Sequence, residues 1–350
     1  MNTANFYPGP SRVYSNVPEY IYEAYMQGVM SMNHRSPECM ELVSETKMIL
    51  REKLRIPAAY EIAFTSSATE NWEIIAQSLT EKGSFHFYNG AFGQKWFGYA
   101  DKITKAKGVK FDINDELPQE EVGEEFDVIA LTHNETSTGT KVSAARMAQL
   151  RSDYPEHIIT VDVTSSLGGE RIDFDLADYW YASVQKCLGL PAGLGLMILS
   201  PAAMEKAYVL SEKGHYNSLV NILENTRHNQ TQYTPNVLGI YLLNRTQRIS
   251  KGIDAINKKL QQRITSYHAL VNDLEGIEFL ISNEKVRSQT VLTLKCDDPA
   301  ALRAEAKDHE IILGAGYGDL KPHTFRIANF PAIKGREIDK LMTFLRKKFA

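Results

Sequence analysis

The chain has 350 residues, 43% of them hydrophobic, and a formal net charge of −4 with acids and bases interspersed. That length supports two domains and a substantial core, while the charge pattern excludes a basic nucleic-acid stripe and an acidic disordered arm. No apolar run approaches the ~18 residues of a membrane span, the opening MNTANFYPGPSRV lacks a basic region followed by an apolar one, and Cys39, Cys187 and Cys296 form no CxxC pair. The expectation is therefore a cytoplasmic protein with neither membrane contact, disulfide framework nor metal site.

Tyr7-Pro8-Gly9-Pro10 opens the chain as an extended, turn-rich segment, since two prolines around a glycine exclude helix. A helix is expected from about Pro18 to Met30 and another from Glu38 to Leu54. Between them lies a loop carrying His34 and Arg35. A loop arginine can grip a phosphate or carboxylate with two prongs, although most loop arginines are simply solvated. Glu61 to Thr65 reads as a strand, and Ser66-Ser67-Ala68-Thr69 as the turn into a helix ending near Leu79. Small and hydroxylic residues there leave backbone N–H groups free to cradle a phosphate; the alternative is an ordinary N-cap.

Ser84 to Tyr88 is the next strand, and Gly90 opens a helix bearing Phe92, Trp96, Phe97 and Tyr99. Phe92, in its first turn, could cover a planar ligand or serve only as core packing. Asp127 to Thr132 is a buried strand that leaves through seven polar or small residues, His133 to Gly139, a composition suited to a hydrogen-bonding loop.

The most informative stretch follows. Ile158-Ile159-Thr160-Val161 reads as a buried strand that delivers Asp162 at its C-terminal tip. Tyr179 to Val184 reads as a second, followed by Gln185, Lys186 and the Gly189-Leu190-Pro191 break. A carboxylate and an amine on one rim of a parallel sheet are what pyridoxal phosphate chemistry requires: the lysine forms a Schiff base, and the aspartate keeps the pyridine nitrogen protonated. Capping and solvated residues at the same positions remain the alternative.

A strand from Gly193 to Leu199, a helix from Pro201 to Leu210 and an irregular polar segment from Ser211 to Gln232 come next. A helix from Pro235 to Ile249 leads to a longer one with apolar residues spaced three and four apart from Ile253 to Leu274. The pattern then changes to strands (Phe279 to Ser282, Thr290 to Lys295, Ile311 to Leu313, Thr324 to Phe330) and helices (Pro299 to Asp308, Gly335 to Lys348), a small α+β unit. Gly314-Ala315-Gly316-Tyr317-Gly318 lacks the following amphipathic helix of a nucleotide fingerprint. Arg326, mid-strand among apolar neighbours, needs an anion, either a substrate carboxylate or a structural Asp or Glu.

These motifs together resemble a class V, fold-type I pyridoxal-phosphate aminotransferase over nearly the whole chain: Pro8-Gly9-Pro10, His34-Arg35-Ser36, Ser66 to Thr69, Asn134-Glu135-Thr136, Asp162, Gln185-Lys186, Thr234-Pro235 and Phe325-Arg326. Within the class, the His-Arg-Ser loop, the Asn-Glu-Thr triplet and the 24-residue separation of Asp162 and Lys186 are most similar to the phosphoserine aminotransferases. The resemblance implies an α/β fold with a large domain, residues 16–250, built on a mostly parallel sheet between helices. It also implies a small α+β domain, residues 251–350 with 1–15.

For the site, the resemblance implies Lys186 as Schiff-base lysine, Asp162 as pyridinium partner, Phe92 as stacking aromatic and Thr136 on the ring hydroxyl. Ser67, Ala68, Thr69 and Gln185 would hold the phosphate, with Thr234 reaching in from the partner of a homodimer. Arg326 would take the substrate α-carboxylate, and His34 and Arg35 the distal phosphate or carboxylate. The reaction implied is ping-pong transfer of an amino group between phosphoserine and 2-oxoglutarate, a step of serine biosynthesis.

Two departures bear on the substrate. The phosphoserine enzymes carry a further His-Arg pair ahead of the carboxylate arginine; here only Lys321 and His323 stand there, and Gly316 to Lys321 is closer to the alanine–glyoxylate branch. Tyr233 replaces an asparagine before Thr234. The rival readings are another class V aminotransferase such as an alanine– or serine–glyoxylate enzyme, a pyridoxal lyase such as a desulfurase, and a phosphate-ligand binder without catalysis. A desulfurase needs a mobile cysteine, which neither Cys187 beside the lysine nor Cys296 at a strand end supplies.

Overall fold

The computed structural model describes residues 3–349. Its larger sheet has seven strands in the spatial order Glu61–Thr65, Gly195–Leu199, Tyr179–Ser183, Ile158–Asp162, Val128–Thr132, Ser84–Tyr88 and Ala106–Lys110. All neighbours are parallel except Gly195–Leu199, which runs antiparallel to both strands beside it. The central strands are buried on both faces, which explains their continuous apolar runs.

Alternation along each strand divides the interior into two cores. Ile129, Leu131, Ile159, Val161 and Trp180 meet the helices Val17–Met26, Pro37–Leu54 and Val237–Arg248 on one side. Val128, Ala130, Tyr179 and Tyr181 meet Glu70–Ser78, Ala91–Ala100 and Pro201–Leu210 on the other. The outcome is the α/β architecture with helices on both faces of a mostly parallel sheet.

The second sheet has five strands in the order Ala4–Phe6, Ile311–Ala315, Thr324–Ala328, Val291–Lys295 and Glu278–Phe279. Its first strand comes from the opposite end of the sequence: Ala4–Phe6 pairs in parallel with Ile311–Leu313. The chain then passes back to the large sheet, where the Ser11 amide donates to the Gln185 carbonyl at 3.0 Å. The opening segment therefore spans the two sheets and lies against the Lys186 turn.

Several expectations need correction. The polar segment Ser211 to Gln232 is not irregular throughout: Leu219–Thr226 is a helix, because Leu219, Val220, Ile222 and Leu223 form a short apolar stripe that packs into the core. His133 to Gly139 is not an open loop but a buried turn, with Asn134–Glu135 paired to Thr140–Lys141. The first helix stops at Met26, where Gly28 takes a left-handed φ of 72° and the chain continues as a single 3₁₀ turn, Val29–Ser31. No helix among the described residues is long and apolar enough to cross a membrane.

Candidate active site

At the C-terminal rim of the large sheet the parallel strands end in register, Thr132 opposite Asp162 and Asp162 opposite Tyr181. Ligands of open α/β sheets bind beyond such carboxyl ends. A cavity of about 170 Å³ lies there, and it gathers Ala68, Thr69, Phe92, Thr136, Asp162, Gln185 and Lys186. Larger hollows elsewhere, such as the 440 Å³ groove along Pro299–Asp308 and Gly335–Phe349, are lined by surface charges, among them the paired Lys348 and Glu305.

Lys186 is 8% exposed. Its Nζ donates to Thr136 Oγ1 at 2.6 Å and to Ser165 Oγ at 2.9 Å, and lies 5.1 Å from the centre of the Phe92 ring. Burial pulls the amine below its ordinary pKa, while the Asp162 and Glu135 carboxylates oppose that shift. Asp162, also buried, accepts from the Thr164 amide at 2.8 Å. Burial raises its pKa, and the Thr164 bonds and Lys186 pull it down. The site thus contains an amine made less basic by desolvation, next to a carboxylate that a cation would hold ionised.

Thr136 connects this pair to the small sheet. Its hydroxyl receives the Lys186 amine, and its carbonyl receives Arg326 Nη1 at 2.7 Å. Arg326, 4% exposed on Thr324–Ala328, also donates Nε to the Ala315 carbonyl at 2.7 Å. Two carbonyls thus fix the guanidinium, and no Asp or Glu pairs with it among the described residues. The Glu135 carboxylate supports the Arg326 charge from a distance without pairing with it, which leaves room for a substrate carboxylate.

The remaining candidates are dispersed. Ser67 does not line the cavity; its hydroxyl caps the following helix by accepting from the Glu70 amide at 3.2 Å. The Ala68 amide already donates to Ser183 Oγ at 2.6 Å, so the turn offers fewer free N–H groups than its composition suggests. His34, Arg35 and Thr234 lie away from this cavity. Arg35 Nη1 instead donates to Gln230 Oε1 at 2.5 Å, which ties the His34-Arg35 loop to the segment leading to Thr234. His323 borders a separate cleft with Cys296 and Lys295. Cys187 is 1% exposed with its Sγ 3.1 Å from the Ser165 carbonyl, which leaves it no freedom to move.

Three residues that sequence reasoning passed over organise the site. Glu135, 2% exposed, accepts from the Phe92 and Gly93 amides at 3.1 Å through one oxygen and from the Ser137 amide and hydroxyl at 2.9 and 2.6 Å through the other. Its carboxylate thereby caps the helix that carries Phe92. Ser165 shares a 2.5 Å hydrogen bond with Thr136 beneath Lys186. Asn71 holds the Ser67–Ala68 turn by donating to both carbonyls, at 3.0 and 3.2 Å. The only sequence signals were the Asn134-Glu135-Thr136 triplet and the hydroxyl run Thr164-Ser165-Ser166 after Asp162.

A sequence model of the family described as aminotransferase class-V matches residues 5–89 and 100–323. A phosphoserine aminotransferase of Corynebacterium glutamicum is 30% identical over 355 aligned positions, covering 95% of this chain and 91% of that protein. The crystal structure of a phosphoserine aminotransferase from Cytophaga hutchinsonii superposes with a TM-score of 0.96 at 32% identity, covering all of both chains. An alanine–glyoxylate aminotransferase from Nostoc shares the fold, with a TM-score of 0.81 at 20% identity over 99% of this chain and 95% of that one. With the match reaching from residue 5 to residue 323 apart from residues 90–99, the chain belongs to the class V aminotransferases.

Proposed function

We propose that this aminotransferase uses pyridoxal 5′-phosphate to exchange an amino group between O-phosphoserine and 2-oxoglutarate, as a homodimer. The observation that carries the reading is the double use of Thr136: one residue touches both the Lys186 amine and the Arg326 guanidinium. An amino acid whose carboxylate rests on Arg326 therefore has its α-carbon close to Nζ. The names of the Corynebacterium and Cytophaga proteins support phosphoserine as the donor.

The residues present fit the cofactor. Gln185 Oε1, Thr132 Oγ1 and Thr164 Oγ1 are buried without a hydrogen-bond partner, and all three residues line the cavity, so it calls for a polar occupant. Asp162 would hold a protonated ring nitrogen, Phe92 would cover the ring face, and Ala68, Thr69 and Gln185 would face the phosphate, with Ser67 shaping the turn behind them. When bound, pyridoxal phosphate supplies an aldehyde carbon and a ring that accepts electrons.

The chain's own groups do the rest. Lys186 Nζ, its basicity lowered by burial, is the nucleophile and then the carrier of the substrate α-proton. The Thr136 and Ser165 hydroxyls hold it in position. Arg326 orients the α-carboxylate, and the two-carbonyl brace keeps its fork from rotating away. The Arg35–Gln230 bond supports joint delivery of His34, Arg35 and Thr234 to the partner's cavity, and the exposed Tyr22, Tyr25, Met26 and Met30 offer an apolar face for that association. We also take residues 16–250 as the large domain and 1–15 with 251–350 as the small one, of which residues 1, 2 and 350 lie outside those described. The separate core around Leu292, Phe325 and Leu341 supports that division.

The test is the visible absorption of the protein loaded with pyridoxal phosphate, recorded before and after separate additions of phosphoserine, glutamate and alanine. Loss of the long-wavelength band with phosphoserine and with glutamate supports both half-reactions. Loss with alanine but not phosphoserine transfers the enzyme to the alanine–glyoxylate type. Retention of the band with all three refutes the proposal.

A further inference from the structure

An enzyme that handles phosphoserine and glutamate must bind two anionic groups; within one subunit Arg326 accounts for only one, and His34 and Arg35 would reach the other only from the partner. The sequence offers Lys321 and His323 where related enzymes place a second cationic pair, yet His323 borders the cleft beside Cys296. A different cation stands beside the aromatic residue that borders the cavity. Lys95 stands one helical turn after Phe92, whose ring lines the cavity, and its Nζ lies 5.9 Å from the centre of that ring. The ammonium donates to the Tyr317 hydroxyl at 2.7 Å and sits 5.3 Å from the Tyr317 ring centre. Arg326 Cζ lies 5.6 Å from the same ring centre.

We propose that Lys95 receives the distal anionic group of the substrate, phosphate or carboxylate, and that Tyr317 holds it ready for that contact. The inference rests on the function proposed above. Both cations flank one aromatic ring, so their separation cannot exceed the sum of the two ring distances. Dicarboxylates of five carbons and O-phospho amino acids are of a length to bridge that span, with a guanidinium at one end and an ammonium at the other. Lys95 makes no ion pair among the described residues, so no carboxylate of this chain competes for it. A tyrosine hydroxyl uses one of its three donors and leaves two for an anion. The Tyr317 ring packs on Phe92 with centroids 5.4 Å apart, so the same residue that steadies the ammonium also connects the small sheet to the aromatic cover of the cavity. Because Lys95 is solvent-exposed, its charge can also draw dianions toward the entrance.

Isothermal titration of the pyridoxal-phosphate-loaded protein with glutarate and with pentanoate separates the distal contact from the carboxylate held by Arg326. In Lys95→Met, glutarate should weaken roughly two- to fivefold, the size of an exposed ion pair, and the glutarate-to-pentanoate preference should fall by the same factor. Lys95→Arg should restore most of that preference, and Tyr317→Phe should lose part of it. Equal weakening of both ligands, or none, overturns the assignment. If the wild-type protein transaminates neither phosphoserine nor glutamate, the proposed function falls and this inference with it. If it transaminates them and Lys95→Met keeps its preference for glutarate, this inference falls alone.

Discussion

Replacing Glu135 with glutamine tests whether a buried carboxylate, rather than the shape of the pocket, sets the position of Phe92. The carboxylate accepts four hydrogen bonds, two from the first turn of Ala91–Ala100 and two from Ser137. A glutamine amide has one accepting oxygen. If its nitrogen faces the helix, the Phe92 and Gly93 amides both lose their acceptor. If it faces Ser137, the hydroxyl can rotate to accept and only the Ser137 amide is orphaned, so this is the cheaper arrangement. One unsatisfied buried N–H costs about 1–3 kcal/mol, and loss of the negative charge at the helix N-terminus adds about 0.3–1 kcal/mol. Glu135→Gln should therefore destabilise the apo protein by about 1–4 kcal/mol in urea unfolding, with kcat falling as the Phe92 ring loosens over Lys186.

Gly90→Ala reaches the same cap by another route. A Cβ there would lie 2.3 Å from Glu135 Cγ, so the carboxylate must move although its chemistry is intact. The double variant should lose less than the two single losses added together, because both act on one contact. A change below about 0.5 kcal/mol for Glu135→Gln, or full additivity, would refute the cap.

Other positions give independent checks. Arg326→Lys keeps the charge but cannot reach both the Ala315 and Thr136 carbonyls while presenting a fork, and should raise KM for the amino acid about tenfold or more with a smaller effect on kcat in steady-state assays. In Gly195→Ala the new Cβ would lie 2.6 Å from the Ser67 carbonyl carbon, so the Ser67 to Thr69 turn must shift; cofactor affinity, followed by absorbance titration with pyridoxal phosphate, should drop at least about tenfold. His86 is held neutral by burial, its pKa lowered from 6.5 to about 3. Below pH 6.5 the unfolded chain binds a proton that the folded chain refuses, so stability falls as pH drops from 6.5 toward 3, by at most about 1.4 kcal/mol per pH unit. His86→Phe, which can pack against Trp96 and Phe97, should flatten that slope in urea unfolding measured across the window; an unchanged slope would mean that His86 is already protonated in the fold.

The strands that hold the site were readable because they are buried on both faces and end abruptly in turn residues; Glu61–Thr65 and Ser84–Tyr88 have the bounds that their apolar runs suggest. Ala106–Lys110 gave no such signal. It is an edge strand with two lysines and a glycine, and half of its surface faces water, so pairing with Ser84–Tyr88 rather than composition makes it a strand. Asp162 and Lys186 stood out as polar residues at the ends of apolar strands. Glu135 and Ser165 did not, because what gives them a role is backbone and side chain brought from distant segments, and no local pattern records that. The turn at Ser67 shows the converse: its composition promised free amides, and a remote serine, Ser183, had already claimed one.

The pairing of Ala4–Phe6 with Ile311–Leu313 also orders events during synthesis. The first strand leaves the ribosome when its partner is still untranslated, and nearly the whole large sheet can fold before Ile311 emerges. Until then the segment that lies on Lys186, where a Cβ on Gly9 would come within 3.0 Å of the lysine Cε, is held from the large-sheet side by the Ser11–Gln185 and Tyr14–Gly189 backbone bonds but not yet from the small sheet. The cover over Lys186 is thus completed only when Ala4–Phe6 docks on Ile311–Leu313, one of the latest contacts that synthesis allows.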